Sequence, residues 1–173
     1  MRFEDVVRKL VGQPLLQVRS IVSLYIFDFG NGKVIETTDL VGNKCMVSEF
    51  AVHTESSWRL QDDHRIIVTR DDRFFWAEGR KRPQFDWRAC RKKGKNLCDV
   101  QLAKIFRSLP CRAFTVSKVE SDTYGGLTIS FKGGFALIVW PDNSFAMEAW
   151  RFIDSRSDTH YVCEVPRKKK EDW

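Results

Sequence analysis

Nowhere does this sequence assemble the roughly 18 consecutive apolar residues that a membrane-spanning helix needs. Met1-Arg2-Phe3-Glu4-Asp5 also places acids where a secretory leader would carry bases followed by an apolar run. A cytoplasmic protein with no membrane partner is expected. Cysteine is sparse and has no pairing pattern: Cys45, Cys90, Cys98, Cys111 and Cys163 form an odd set whose nearest members stand eight residues apart. That argues against a disulfide framework and against a zinc site built from short Cys intervals. The five read as free thiols, most of them small buried apolar groups. His53, His64 and His160 are too scattered to form a metal site by spacing. No glycine-rich phosphate loop, nucleophile elbow or dinucleotide fingerprint occurs. No metal, cofactor or catalytic residue is therefore expected.

What is present suits one packed domain. At 173 residues the chain is long enough to bury a core without covalent staples, and 13 Phe with 6 Trp is an aromatic excess typical of strand-rich interiors. The net charge of +6 is unevenly spread. Residues 80 to 95 hold eight bases against the single acid Asp86, and residues 166 to 173 hold four bases against two acids. The other 149 residues carry 17 bases and 20 acids, so the body is mildly acidic and the basicity is attached to it.

Phe3, Val6, Val7, Leu10 and Val11 recur at helical spacing before Gly12 and Pro14, which predicts a helix over 3 to 12. Strands are predicted at 15 to 19 and 22 to 29. Gly30-Asn31-Gly32 reads as a hairpin turn returning the chain into 33 to 38. Residues 45 to 55 alternate, with Phe50, Val52 and Thr54 on one face and Glu49, Ala51, His53 and Glu55 on the other. Trp58-Arg59-Leu60 and a β-branched strand at 65 to 69 follow. The order then recurs: Asp99 as N-cap of a helix stopped by Pro110, strands at 113 to 119, 127 to 132 and 135 to 140, a strand through Trp150-Arg151, and a closing strand at 160 to 165.

This recurrence predicts an α+β fold: two helix-plus-antiparallel-strand units, related by duplication and a pseudo-twofold, in a single domain. Unit one spans 1–69, a basic insertion 70–98, unit two 99–165 and a basic tail 166–173. Meandering strands joined by a few kinds of turn would produce a similar likeness without duplication.

The doubled Trp-Arg is the most distinctive motif. On a strand, Trp58 and Trp150 would cover the core while Arg59 and Arg151 point the other way, each toward a carboxylate. Glu148 or Asp154 is the expected partner for Arg151, and Glu55, Asp62 or Asp63 for Arg59. Alternatively, the two Arg residues grip an anionic ligand where the units meet. In the insertion, Arg80, Lys81, Arg82, Trp87, Arg88, Arg91, Lys92, Lys93 and Lys95 combine charge with an indole. That composition suits contact with nucleic acid or an acidic protein, and equally a solvated loop. An enzyme assembled from Asp63, His64 and His160 is a third reading.

Ile138-Val139-Trp140-Pro141-Asp142-Asn143-Ser144, then Glu148-Ala149-Trp150-Arg151-Phe152 and His160-Tyr161-Val162, resemble the end of some small uncharacterised bacterial proteins. Candidate immunity proteins, which bind and silence a toxin, are among them. The likeness covers about the last 40 residues, with a fainter echo at Trp58-Arg59. It implies a bacterial, non-catalytic protein that binds a partner protein, with a toxin as one such partner.

Overall fold

The structure is a computed structural model that describes residues 3–38, 41–77, 94–142 and 147–165. Ten strands are described: β1 (Leu15–Ile21), β2 (Leu24–Thr38), β3 (Lys44–Thr54), β4 (Ser57–Gln61), β5 (Ile66–Thr69), β6 (Val116–Ser121), β7 (Leu127–Phe131), β8 (Ala136–Trp140), β9 (Glu148–Asp154) and β10 (Thr159–Glu164). They form two five-stranded sheets, β1-β2-β3-β9-β10 and β5-β4-β8-β7-β6, with every pairing antiparallel. The inward faces meet in one core. Tyr25, Phe27, Phe29, Phe50, Val52, Trp150 and Phe152 from the first sheet pack with Trp58, Leu60, Val68, Leu127, Ile129, Leu137 and Val139 from the second.

The helices are short. α1 (Phe3–Val7) runs into a 3-10 turn at Arg8–Leu10 and lies against β6 and β10. α2 (Leu97–Ser108) lies against β5 and the 3-10 turn Arg70–Phe74. Its N-cap is Asn96, whose side chain accepts the Asp99 N–H, so the cap stands three residues earlier than Asp99. Val6, Val7 and Leu10 from one helical segment, and Cys98, Leu102 and Ile105 from the other, complete the core.

Two expectations need correction. The α+β class with two self-contained helix-plus-strand units does not form, because strands dominate and each half contributes to both sheets. Residues before the insertion supply β1 to β3 to one sheet and β4 and β5 to the other; those after it supply β6 to β8 and β9 and β10 the opposite way. The two strand orders match when the halves are exchanged, which is a correspondence of order alone. The cause of the crossing is the corner between β3 and β4. There Thr54 Oγ1 donates to the Ala149 carbonyl (2.8 Å) and accepts the Ser56 N–H (3.0 Å), turning the chain out of one sheet and into the other.

Gly30-Asn31-Gly32, expected as a hairpin turn, is instead a bulge inside the continuous strand β2. The register jumps from Phe29↔Phe50 to Val34↔Ser48. Partners outside β2 supply the hydrogen bonds that would otherwise have closed a turn. Gly30 N–H donates to the Pro14 carbonyl (3.1 Å) and Asn31 N–H to Glu49 Oε2 (2.8 Å). Gly30 is at φ +142°, and a Cβ there would lie 2.9 Å from that carboxylate oxygen. Beyond the bulge, β2 and β3 pair with each other alone as a ribbon carrying exposed Val34 and Met46.

The true tight hairpin is Val22-Ser23, between the paired residues Ile21 and Leu24. Val22 sits at φ +57° there, where two-residue turns favour glycine and a β-branched side chain is strained. Val22→Gly is expected to raise stability by about 1 kcal/mol, relief of strain exceeding the extra freedom of the unfolded chain. Comparison of urea midpoints checks this.

No helix among the described residues is long and apolar enough to cross a membrane. Among the described residues Cys45, Cys98, Cys111 and Cys163 are free thiols and only Cys98 is buried, against the expectation that most would be; Cys90 lies outside the described residues.

Candidate partner-binding cleft at the sheet-switching corner

Strand alternation places both indoles of the doubled motif in the core and both guanidiniums on outer faces. Trp58 and Trp150 are 1% and 0% exposed. Their surroundings differ. Trp150 Nε1–H donates to the Gly125 carbonyl at 2.8 Å. Trp58 meets Tyr25 and Phe27 in T-shaped contacts, and its buried Nε1–H has no hydrogen-bond partner among the described residues.

The two Arg residues are not brought together, because β4 and β9 belong to different sheets. Arg59 lies over the Trp140 ring, 5.4 Å from its centroid, and takes none of the expected carboxylates. Arg151 makes the expected bond to Glu148, through Nε at 3.0 Å and one terminal nitrogen at 2.6 Å. Asp154, the other expected partner, is held by Lys9 and Arg156. An anion grip shared by Arg59 and Arg151 is therefore not built.

Arg80, Lys81, Arg82, Trp87, Arg88, Arg91, Lys92 and Lys93 lie outside the described residues. Lys95 is exposed at a neck where Ala77 N–H donates to its carbonyl and Leu97 N–H donates to that of Phe75. Asp62 forms the β4–β5 turn, its Oδ1 accepting the N–H groups of His64 and Arg65 at 2.9 Å each. His160 instead sits on β10 in the other sheet, beside Arg151. The structure does not assemble Asp63, His64 and His160. Among the described residues, no group of three or more His, Cys, Asp or Glu side chains is placed to hold a metal.

The geometry converges instead on the outer face of the first sheet, at the corner. A cleft of about 460 Å³ is lined by Leu24 from β2, His53 from β3, Glu55 and Ser56 of the corner, Asp142 after β8, and Met147, Glu148, Ala149 and Arg151 at the start of β9. Both crossings between the sheets thus border one depression.

Its charged groups are well anchored. Asp142 Oδ2 accepts from Ser57 and from Arg70 at 3.0 Å each. Glu55 accepts the Ser23 hydroxyl at 3.2 Å. Across the face, Arg19 clamps the buried Asp28 at 2.6 and 3.0 Å, and that bond raises the pKa of Arg19. Hydrogen bonding to Glu148 likewise raises that of Arg151. Burial pushes His53 down to about 4. Arg19, Arg151 and His160 push the same way, while Asp28 opposes them. The imidazole in the cleft is therefore neutral at pH 7.

Apolar side chains surround these charges. Ile21 pairs with Leu24, and Val162 with Arg151, so both share the cleft's face. They are 57% and 41% exposed, Val22 at the hairpin tip 69% and Met147 56%. Of this set, sequence reasoning singled out Arg151 alone as a site residue. The outward row Glu49, Ala51, His53, Glu55 was a signal that His53 and Glu55 share a face. Compared with family models, curated proteins and solved structures, the chain matches none.

Proposed function

We propose that this chain is a non-catalytic protein-binding protein of immunity or accessory type, which neutralises or escorts a partner protein docked on the outer face of the first sheet. One observation carries the reading: Ile21, Val22, Met147 and Val162 stand exposed around a cleft of fixed charges. Large apolar side chains gathered at a polar cleft are costly in water and suit an interface centre with a hydrogen-bonding rim. The strained Val22 points the same way. Local backbone strain at an exposed tip is a feature that clusters at binding surfaces.

Tagged protein recovered from the cells that natively produce it is expected to carry one partner in a defined stoichiometric ratio by native mass spectrometry. Met147→Asp, with an unchanged thermal midpoint, is expected to lose that partner, and Ile66→Asp on β5 of the other sheet to keep it. A partner retained equally by both variants, or no stoichiometric partner, contradicts the reading.

A further inference from the structure

We infer that the corner cleft seats a single lysine or arginine side chain of the partner, so that the surface this protein recognises is basic. The inference rests on the reading that the outer face of the first sheet is the interface, and it names the chemistry of what enters there.

The lining has two parts. Among the described residues, Leu24, Met147 and Ala149 offer apolar wall, and of the carboxylates Glu55, Asp142 and Glu148 the last two are paired with Arg70 and Arg151. Arg151 is already committed. Two of its nitrogens bond Glu148 and the third lies 3.4 Å from His160 Nδ1. An anion entering the cleft would meet the Glu55 carboxylate and guanidiniums, those of Arg151 and Arg70, that are already occupied. A cation meets Glu55, which accepts one hydroxyl hydrogen bond and has no ion-pair partner among the described residues. The Glu148 and Asp142 side chains, paired with Arg151 and Arg70, stay 38% and 37% exposed beside it.

His53 contributes no opposing charge, because its imidazole stays neutral at pH 7. An occupant with an aliphatic stem and a cationic head matches this order of groups, and lysine and arginine are the side chains built that way. Charge complementarity of this kind sets which partner is accepted more than how tightly it is held.

The test uses Nα-acetyl-lysine methylamide, its arginine counterpart, and the norleucine and glutamate analogues as neutral and anionic controls. They are titrated into the full chain while the Met147 methyl and His53 ring signals are followed by NMR. The two cationic probes are expected to shift both signals with millimolar affinity. The norleucine probe is expected to bind more weakly and the glutamate probe not to bind. Glu55→Gln, at an exposed position, is expected to weaken the cationic probes about threefold. Equal binding of the norleucine or glutamate probe, absence of any cationic shift, or an unchanged affinity in Glu55→Gln overturns the inference. If the partner is still lost on Met147→Asp while the cationic probes fail, only the basic occupant is rejected. If Met147→Asp keeps the partner, the interface itself is rejected.

Discussion

Replacing Trp150 by phenylalanine is expected to cost about 3 kcal/mol of folding stability, whereas the same replacement at Trp58 costs about 1. Both indoles are fully buried, so the volume lost is the same and sets a common cavity cost. The difference lies at the indole nitrogen. Trp150 satisfies the Gly125 carbonyl, and phenylalanine would leave that acceptor without its donor inside the protein. Trp58 carries a buried N–H with no hydrogen-bond partner among the described residues, so removing it relieves a desolvated donor and offsets part of the cavity. Urea unfolding of the two variants checks the order, and equal losses would show that the local surroundings of the two motifs do not matter energetically.

Acidification is expected to remove about 2 kcal/mol through His53 between pH 6.5 and pH 4, discounted for its partial exposure. The folded value, about 4, lies below the ordinary 6.5. Over that window the unfolded chain takes up a proton that the folded chain refuses, so stability falls as pH falls and levels off below 4. The groups facing the ring explain the sign: Arg19 on β1, Arg151 on β9 and His160 on β10 oppose a second positive charge, and Asp28 on β2 only partly compensates. Carboxylates also titrate in this range, so the contribution is read as a difference. His53→Gln, which cannot take the proton, is expected to flatten the stability profile by that amount relative to the native chain. Parallel profiles would mean that the imidazole is not held neutral by its surroundings.

These two effects show where local sequence patterns carry structural information and where they do not. The strand around Leu127 was readable because apolar and polar residues alternate there and burial follows the alternation, whereas Ser48 to Val52 around Phe50 are buried on both faces despite the same pattern. Which sheet each strand joins was not readable. Glu55-Ser56 looks like any short polar turn, and the bonds of Thr54 to Ala149 and Ser56 hold it as a corner. The bulge at Gly30 was hidden for the same reason, since its decisive partners, Pro14 and Glu49, come from other parts of the chain. Local pattern without those distant partners implies separate helix-plus-strand units, where two shared sheets exist.

The candidate site follows the same rule. Arg151 stood out by its motif, and its bond to Glu148, three residues away, lies within local reach. Arg59 has the same motif and a different fate, because the Trp140 ring lies within its reach, diagonally across on β8. Leu24, Asp142 and Met147 carry no signature of their own. They become a site only when strands from both halves of the chain meet at the corner.

Site-specific photo-crosslinking tests the central claim most directly. A photoreactive amino acid placed singly at Met147, Val162 or Ile66 in the otherwise native chain is irradiated in the producing cells, and covalent adducts are resolved by mass. Positions 147 and 162 are expected to capture the same protein at one copy per chain, and position 66 none. An adduct of that protein at position 66 with none at 147 or 162 would place the interface on the other sheet and contradict the account.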